Sequence, residues 1–499
     1  MADNMQQDGD ALPGKEAGGR SSLPALLIGL LLFVGLLLIN PFGLDAKASR
    51  IVAVAVLMIC WWITEALPMP VVALIPLVLF PLLGIAQIGE TAAPYANEVI
   101  FLFMGGFLIG LGIEKWNLHK RIALNIVRVT GTSGNRIILG FIMATGFLSM
   151  WLSNTATTMM MFPIAASVIT VVNDSEVPAR YSRNFALCIM LAVAYASNFG
   201  GIATIIGTPP NVAYASFINK KYGVDLSFTS WMAVCLPIAL ILMFSLYGVM
   251  VHWLYPNHIR PNAAMKQMID RELRALGPLR APEKRVLFVF VLTAMLWITR
   301  DLVNQLKWFR LDDNMIAIFG ALLLFIIPSG DRSPGKSARI LDWKDTGSMA
   351  WGILLLFGGG ITLAAQLEKA GLITLLGTWI AGFSGSNLLL IIIVVTTVSI
   401  FMSEVMSNIA QVIVLAPVVS GIADAIGINP FLLGVPMTLA ASAASMMPMG
   451  TPPNAIVFAS GHIGIRQMMK TGLVMNIIAI ILIVLFSYWV LPSFMFLSR

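Results

Sequence analysis

Charge is scarce in this chain. Asp, Glu, Lys and Arg make up only 11% of its 499 residues, whereas 58% are hydrophobic. So little charge over such a length excludes a soluble enzyme, whose surface would carry about twice as much. The three cysteines, Cys60, Cys188 and Cys235, stand in apolar surroundings without a Cys-x-x-Cys spacing. Neither a disulfide framework nor a metal site is expected of them, and their role is packing. Gly358-Gly359-Gly360 lacks the Gly-Lys-Ser ending that a nucleotide-binding loop needs. No nucleophile stands beside a histidine and no carboxylate pair sits within an apolar run, so a membrane-embedded hydrolase is not expected either. The four histidines, His119, His252, His258 and His462, fall in or beside expected loops, which argues against proton coupling through them. A net charge of +7 would suggest nucleic acid in a soluble protein. Here it reflects loops that face an anionic leaflet, and no nucleic-acid partner is expected.

What the chain has in abundance is apolar runs, such as residues 23–39, 286–298 and 477–490. The expected fold class is an all-α polytopic membrane protein with about 11 transmembrane helices and two re-entrant helical hairpins. The crossings fall near 23–40, 51–66, 69–88, 98–114, 184–217, 228–254, 285–302, 314–328, 346–366, 430–461 and 472–496. Residues 1–22 read as a disordered cytoplasmic tail and 23–48 as a preliminary helix. A first repeat then covers 49–255, with its hairpin at 135–172. A charged cytoplasmic linker follows at 256–284, and a second repeat covers 285–499, with its hairpin at 386–422. With the amino terminus inside and the carboxyl terminus outside, most of the 31 Lys and Arg residues face the cytoplasm. One preliminary crossing followed by five per half makes the repeats inverted, and inverted repeats commonly place a ligand site at their interface near the midplane.

The duplication itself is written in the residues. Phe103, Gly105, Gly106, Glu114, Lys115, Leu118, Gly131, Ser149, Ser153, Asn154, Ala156 and Pro163 recur at constant spacing as Phe357, Gly359, Gly360, Glu368, Lys369, Leu372, Gly385, Ser403, Ser407, Asn408, Ala410 and Pro417. Each Ser-Asn word is followed downstream by an identical string, Gly207-Thr208-Pro209-Pro210-Asn211 and Gly450-Thr451-Pro452-Pro453-Asn454. A hairpin tip exposes carbonyls from the helix it ends and N–H groups from the helix it begins. Carbonyls attract cations and helix N-termini attract anions. Ser149, Ser153 and Asn154 are spaced so that a hydroxyl and the tip amide converge on one ion, and Ser403, Ser407 and Asn408 repeat that spacing. Prolines 209 and 452, lacking an N–H, are expected to free a carbonyl by breaking a helix, and Gly207 and Gly450 let backbone approach closely. Every such ligand is a neutral oxygen, which suits sodium better than a transition metal. Neither word contains Lys or Arg, so an anionic substrate would be held by amides, hydroxyls, helix dipoles and the bound cations. Ion and substrate would then each raise the other's affinity.

These words, both GTPPN strings and Trp62-Ile63-Thr64-Glu65-Ala66-Leu67-Pro68 closely resemble the divalent anion/sodium symporter family, the sodium-coupled dicarboxylate and tricarboxylate transporters. The resemblance covers nearly the whole chain from about residue 50. It implies a homodimer in a bacterial-type inner membrane, working as an elevator-type symporter. Carried over by position, it implies a first sodium site at Ser149, Ser153, Asn154 and Gly207, and a second at Ser403, Met406, Asn408 and Gly450. It implies carboxylate contacts at Ser153, Asn154, Thr155, Ser407, Asn408, Thr208 and Thr451, with Pro209 and Pro452 shaping the pocket. Ile409 departs from the pattern, because a second threonine often stands there. With a threonine at only one tip, C4-dicarboxylates such as succinate, malate and fumarate are expected over citrate, since an unpaired third carboxylate is costly to bury. A dicarboxylate or citrate exchanger of the same fold is the alternative. Glu404, an ionisable group inside the second hairpin, is expected to have a supporting or gating role, and Glu65 a capping or interfacial one.

Overall fold

The computed structural model describes residues 23–494 except 176, 262, 307–309, 332–336, 374 and 376–386. The expected tail at 1–22 lies outside the described residues, as does residue 386 at the start of the second hairpin. Among those described, the fold is helical. It opens with α1 (Leu23–Ile39), α2 (Ala46–Ile63), α3 (Met69–Val72), α4 (Ile75–Leu82) and α5 (Ile88–Ala92), then α6 (Glu98–Lys115) and α7 (Leu118–Thr130). The first hairpin is α8 (Gly134–Ser149) and α9 (Asn154–Asn173), followed by α10 (Ala179–Ile202), α11 (Pro209–Tyr222) and α12 (Phe228–Gly248). After α13 (Ala263–Ala275) come α14 (Ala281–Gln305), α15 (Asp313–Ile326) and α16 (Trp351–Lys369). The second hairpin is α17 (Leu388–Met402) and α18 (Asn408–Ala425), followed by α19 (Phe431–Ala443), α20 (Pro452–Phe458) and α21 (Ile465–Leu485).

Nine helical stretches among the described residues are long and apolar enough to cross a membrane. They include α9 and α18, the second arms of the two hairpins, whereas the first arms α8 and α17 are shorter. Three expected crossings are not continuous helices. The run near 69–88 divides into α3 and α4, with prolines in the first turn of each. Those near 184–217 and 430–461 break at residues 203–208 and 444–451. The linker at 256–284 was expected as a loop, yet it contains the amphipathic helix α13, which packs against α7. Lys120 pairs with Glu272 at 2.8 Å and Arg128 with Asp270 at 3.1 Å across that contact. Arg121 pins the following turn, pairing with Glu283 at 2.6 Å and donating to the carbonyls of Leu276 and Gly277. Alternation of charge with buried Met265 and Ile269 makes this stretch a helix with one apolar face. His119, also expected in a loop, is buried in α7 with Nδ1 3.0 Å from the Ile113 carbonyl. Burial holds its imidazole below the usual pKa.

Helices approach closely where glycine removes the side chain. A Cβ on Gly105 of α6 would sit 2.5 Å from the Ala317 carbonyl carbon of α15, and one on Gly200 of α10 would sit 2.6 Å from the Gly146 Cα of α8. Small residues are the usual means of helix contact where water supplies no driving force between helices. Gly105→Val should therefore force α6 and α15 apart and cost about 1–3 kcal/mol, the usual range for overpacking. A melting temperature for the purified variant equal to that of the parent would contradict this contact.

Candidate functional site

Ser153 ends the first tip as the N-cap of α9, its Oγ accepting the Ala156 N–H at 3.2 Å. Ser149, the last residue of α8, donates its hydroxyl to Asn154 Oδ1 at 2.7 Å. The second hairpin repeats this link, with Ser403 Oγ 2.5 Å from Asn408 Oδ1, and adds a bond from the same hydroxyl to the Ala441 carbonyl of α19. Two separated residues of each word thus meet across the turn, as their spacing requires. The words differ at the cap, because Ser407 makes no side-chain capping bond.

The broken helices supply the other walls. A Cβ on Gly207 would lie 3.0 Å from the Ser149 carbonyl oxygen, and one on Gly450 would lie 3.2 Å from the Ser403 carbonyl oxygen. Ser149, Asn154 and Gly207 are therefore gathered in one half and Ser403, Asn408 and Gly450 in the other. Met406 is buried, and its side chain packs with α2 and α16 residues in a separate apolar cluster. Only its backbone is left to face an ion. The prolines act differently from the expectation of a helix broken from within. Pro209 and Pro452 stand at the first position of α11 and α20, where the missing N–H has no partner to lose. They start a helix, and the preceding loop does the breaking.

Asn211 and Asn454 close each GTPPN string, and sequence reasoning gave them no role. Asn211 Nδ2 donates to the carbonyls of Gly201 and Thr204 at 3.1 and 2.8 Å, and Asn454 Nδ2 donates to the Met447 carbonyl at 3.1 Å. Each amide thereby braces the carbonyls that its own loop has removed from helical pairing. Asn198 was missed as well. Wholly buried on α10, it accepts from Asn154 Nδ2 at 3.4 Å and donates to Thr451 Oγ1 at 3.2 Å. The signal was present as a further Ser-Asn pair, Ser197-Asn198, inside an apolar run.

The packing assigns the helix ends. Within each half the hairpin's first arm packs against that half's own broken helix, α8 on α10 and α17 on α19. Those four helices end in carbonyls. The second arms pack on their own broken helices too, and across the halves α9 also packs on α20 and α18 on α11. Asn198 links the starts of α9 and α20, and the ends of α11 and α18 meet where Lys221 and Tyr222 bond Asp424, so those two run parallel. Cation-attracting carbonyl ends thus meet within each half, and the anion-attracting starts of the second arms border both those ends and the other half. Thr208 and Thr451 are buried N-caps at this seam; Ser153, Asn154, Thr155, Ser407, Asn408 and Pro209 are half-buried, and Pro452 is exposed. Ile409 is half-buried and packs against both apolar clusters.

Comparison with known proteins agrees with the repeated words. Residues 21–495 match the family described as the sodium:sulfate symporter transmembrane region. A sodium-dependent dicarboxylate transporter SdcS of Staphylococcus saprophyticus is 38% identical over 476 residues, covering 94% of this chain and 91% of its own. The protein of the same name from Staphylococcus aureus is 38% identical over 491 residues, covering 96% and 93%. Among solved structures, the YdaH transporter of Alcanivorax borkumensis, reported to have an unusual topology, matches with a TM-score of 0.53 at 15% identity. That match covers 88% of this chain and 98% of the other, and it is a likeness of fold. With a family match across nearly its whole length, this chain belongs to the sodium:sulfate symporter family of multi-pass membrane transporters.

Proposed function

We propose that this protein is a sodium-coupled symporter that imports C4-dicarboxylates by alternating access of the elevator type. The observation that carries the reading is the division of helix ends just described. Two neutral-oxygen clusters, Ser149 with Asn154 and Gly207, and Ser403 with Asn408 and Gly450, lie one in each half, and each shares its asparagine with the seam between halves. A dianion at that seam would face the N-termini of α9, α11 and α18 and the buried Thr208 and Thr451, with a sodium ion behind each asparagine. Neither partner is well held without the other, because no basic side chain stands within either word. The dicarboxylate names of both staphylococcal relatives support the substrate class. The aliphatic Ile409 beside Asn408 favours succinate, malate and fumarate over citrate for the reason of charge burial. We place the amino terminus in the cytoplasm and the protein in a bacterial-type inner membrane as a homodimer, following the distribution of Lys and Arg and the family resemblance.

Movement is supported by unequal engagement of equivalent positions. Gly106 of α6 faces Ile206, while its counterpart Gly360 of α16 faces Ile413. The counterpart of Ile413 is Met159, which is 50% exposed, and the counterpart of Ile206 is Met449, which is 73% exposed, whereas Ile206 is 8% exposed. Two related halves engage α6 and α16 at different levels, as one state of a carrier should. In the opposite state the engagement would be exchanged, with Met159 reaching Gly106.

Proteoliposomes should take up radiolabelled succinate only under an inward sodium gradient, with malate and fumarate competing better than citrate; uptake indifferent to sodium would defeat the symport reading. Ser149→Ala should raise the sodium concentration for half-maximal uptake, and Asn198→Ala should raise the half-saturating succinate concentration about fivefold to tenfold, the loss of roughly one hydrogen bond. An Asn198→Ala protein with parental succinate affinity would separate that residue from the site. Finally, cysteines introduced at Gly106 and Met159 should cross-link with a short bifunctional thiol reagent during turnover. Failure to cross-link under every sodium and succinate condition would count against the exchange of contacts.

A further inference from the structure

The two hairpin tips differ in charge at one position. Where the first tip has Met150, the second has Glu404, a carboxylate only 5% exposed. In the first half the Met150 carbonyl accepts the Thr204 hydroxyl, and the loop at 203–208 is otherwise braced by Asn211. In the second half the Glu404 side chain takes over. Its Oε1 accepts the Ser445 and Met446 N–H groups at 2.9 and 2.8 Å and Asn476 Nδ2 at 2.7 Å, while Oε2 accepts the Met447 N–H at 2.8 Å. Asn476 Oδ1 accepts the same Ser445 N–H at 3.1 Å. Three consecutive amides of an unwound loop thus converge on one carboxylate, a nest for a negative charge.

Those donors satisfy the oxygens without cancelling the charge. No ion pair among the described residues includes Glu404, and a buried charge ordinarily requires a partner. The second cluster stands beside it. A Cβ on Gly450 would lie 3.2 Å from both Glu404 Oε2 and the Ser403 carbonyl oxygen, with the Met447 carbonyl oxygen at 3.4 Å. Thr451, which receives the bond from Asn198, is the next residue. The carboxylate therefore ties together the tip that carries Ser403 and the loop that carries Gly450 and Thr451.

We propose that Glu404 is a positioning residue for the second cation cluster, holding the 444–451 loop against the hairpin tip and supplying the fixed negative charge that a bound sodium ion offsets. The first cluster has no such charge, so the two clusters are chemically unequal despite their matched words. The proposal rests on the sodium reading of the second cluster. In Glu404→Gln an amide nitrogen replaces an acceptor in front of N–H donors, and the charge is lost. Asn476→Leu leaves the charge and removes one donor that orients it. Full-length Glu404→Gln, Asn476→Leu, Ser403→Ala and parent proteins are compared in two measurements, the rise in melting temperature on adding sodium chloride in place of choline chloride, and the sodium dependence of succinate uptake in proteoliposomes. The expected result is a sodium concentration for half-maximal uptake raised about tenfold in Glu404→Gln, equivalent to roughly 1.4 kcal/mol, and about threefold in Asn476→Leu. Both should lose part of the sodium-induced stabilisation, because an ion stabilises the folded state only in proportion to its occupancy. If Ser403→Ala shifts the sodium dependence while Glu404→Gln and Asn476→Leu leave it at the parental value, the proposal is overturned and the sodium site stands. If Ser403→Ala itself has no effect, the sodium reading of the cluster fails and the proposal falls with it. Should Glu404→Gln not yield folded protein, the Asn476→Leu result decides.

Discussion

Backbone amides and carbonyls freed by a helix break cannot be left unpaired in an apolar interior, and the rest of this structure depends on how four such breaks are satisfied. Each hairpin tip and each GTPPN loop interrupts a helix in the middle of an apolar run. The freed groups are met by side chains that the sequence places close at hand: Ser153 at a cap, Asn211 and Asn454 on loop carbonyls, Glu404 on loop amides. The remaining groups are what a charged ligand would bind. Breaking helices and creating a site are therefore one structural event.

Electrostatic sorting follows from which helices touch. The ends of α8 and α10 meet at Gly146 and Gly200, and those of α17 and α19 at Ser403 and Ala441, whereas the starts of α9 and α20 are linked across the halves through Asn198. Asn198 reinforces the crossing, since it binds the first hairpin through Asn154 and the second half through Thr451. In the symport reading proposed above, coupling between ion and anion would need no moving relay, because Asn154 belongs to the first cluster and, through Asn198, reaches Thr451 of the second half.

Close packing imposes a second condition. Gly200 and Gly201 bring α10 against Gly146 and against the Asn154 side chain, at separations that no Cβ would permit. Gly106 and Gly360 meet the side chains of Ile206 and Ile413, the second pair just as closely and the first at ordinary contact distance. Contacts of the first kind join parts of one half rigidly. Those of the second kind set a glycine against an aliphatic side chain.

Much of this was legible in the sequence, because the bilayer leaves so few options. Long apolar runs dictate helices, a Ser-Asn word inside such a run dictates a covered break, and recurrence of word and string together dictates two related halves. The Ser149 to Asn154 and Ser403 to Asn408 bonds follow from spacing alone, since both partners lie within one turn of the same tip. Other features depended on elements far apart in the chain. Hydrophobicity could not locate α13, for an amphipathic helix resembles a charged loop until its apolar face finds α7, and the breaks at 203–208 and 444–451 were legible only from the Gly and Pro of the two repeated strings. The prolines were read as helix breakers because their chemistry allows that, but only the fold showed them at helix starts. Asn198 and the four donors around Glu404 come from segments tens of residues away. Local chemistry determined which residues can bind; tertiary packing decided which helix ends meet, because a dipole has a direction in the chain but a neighbour only in space.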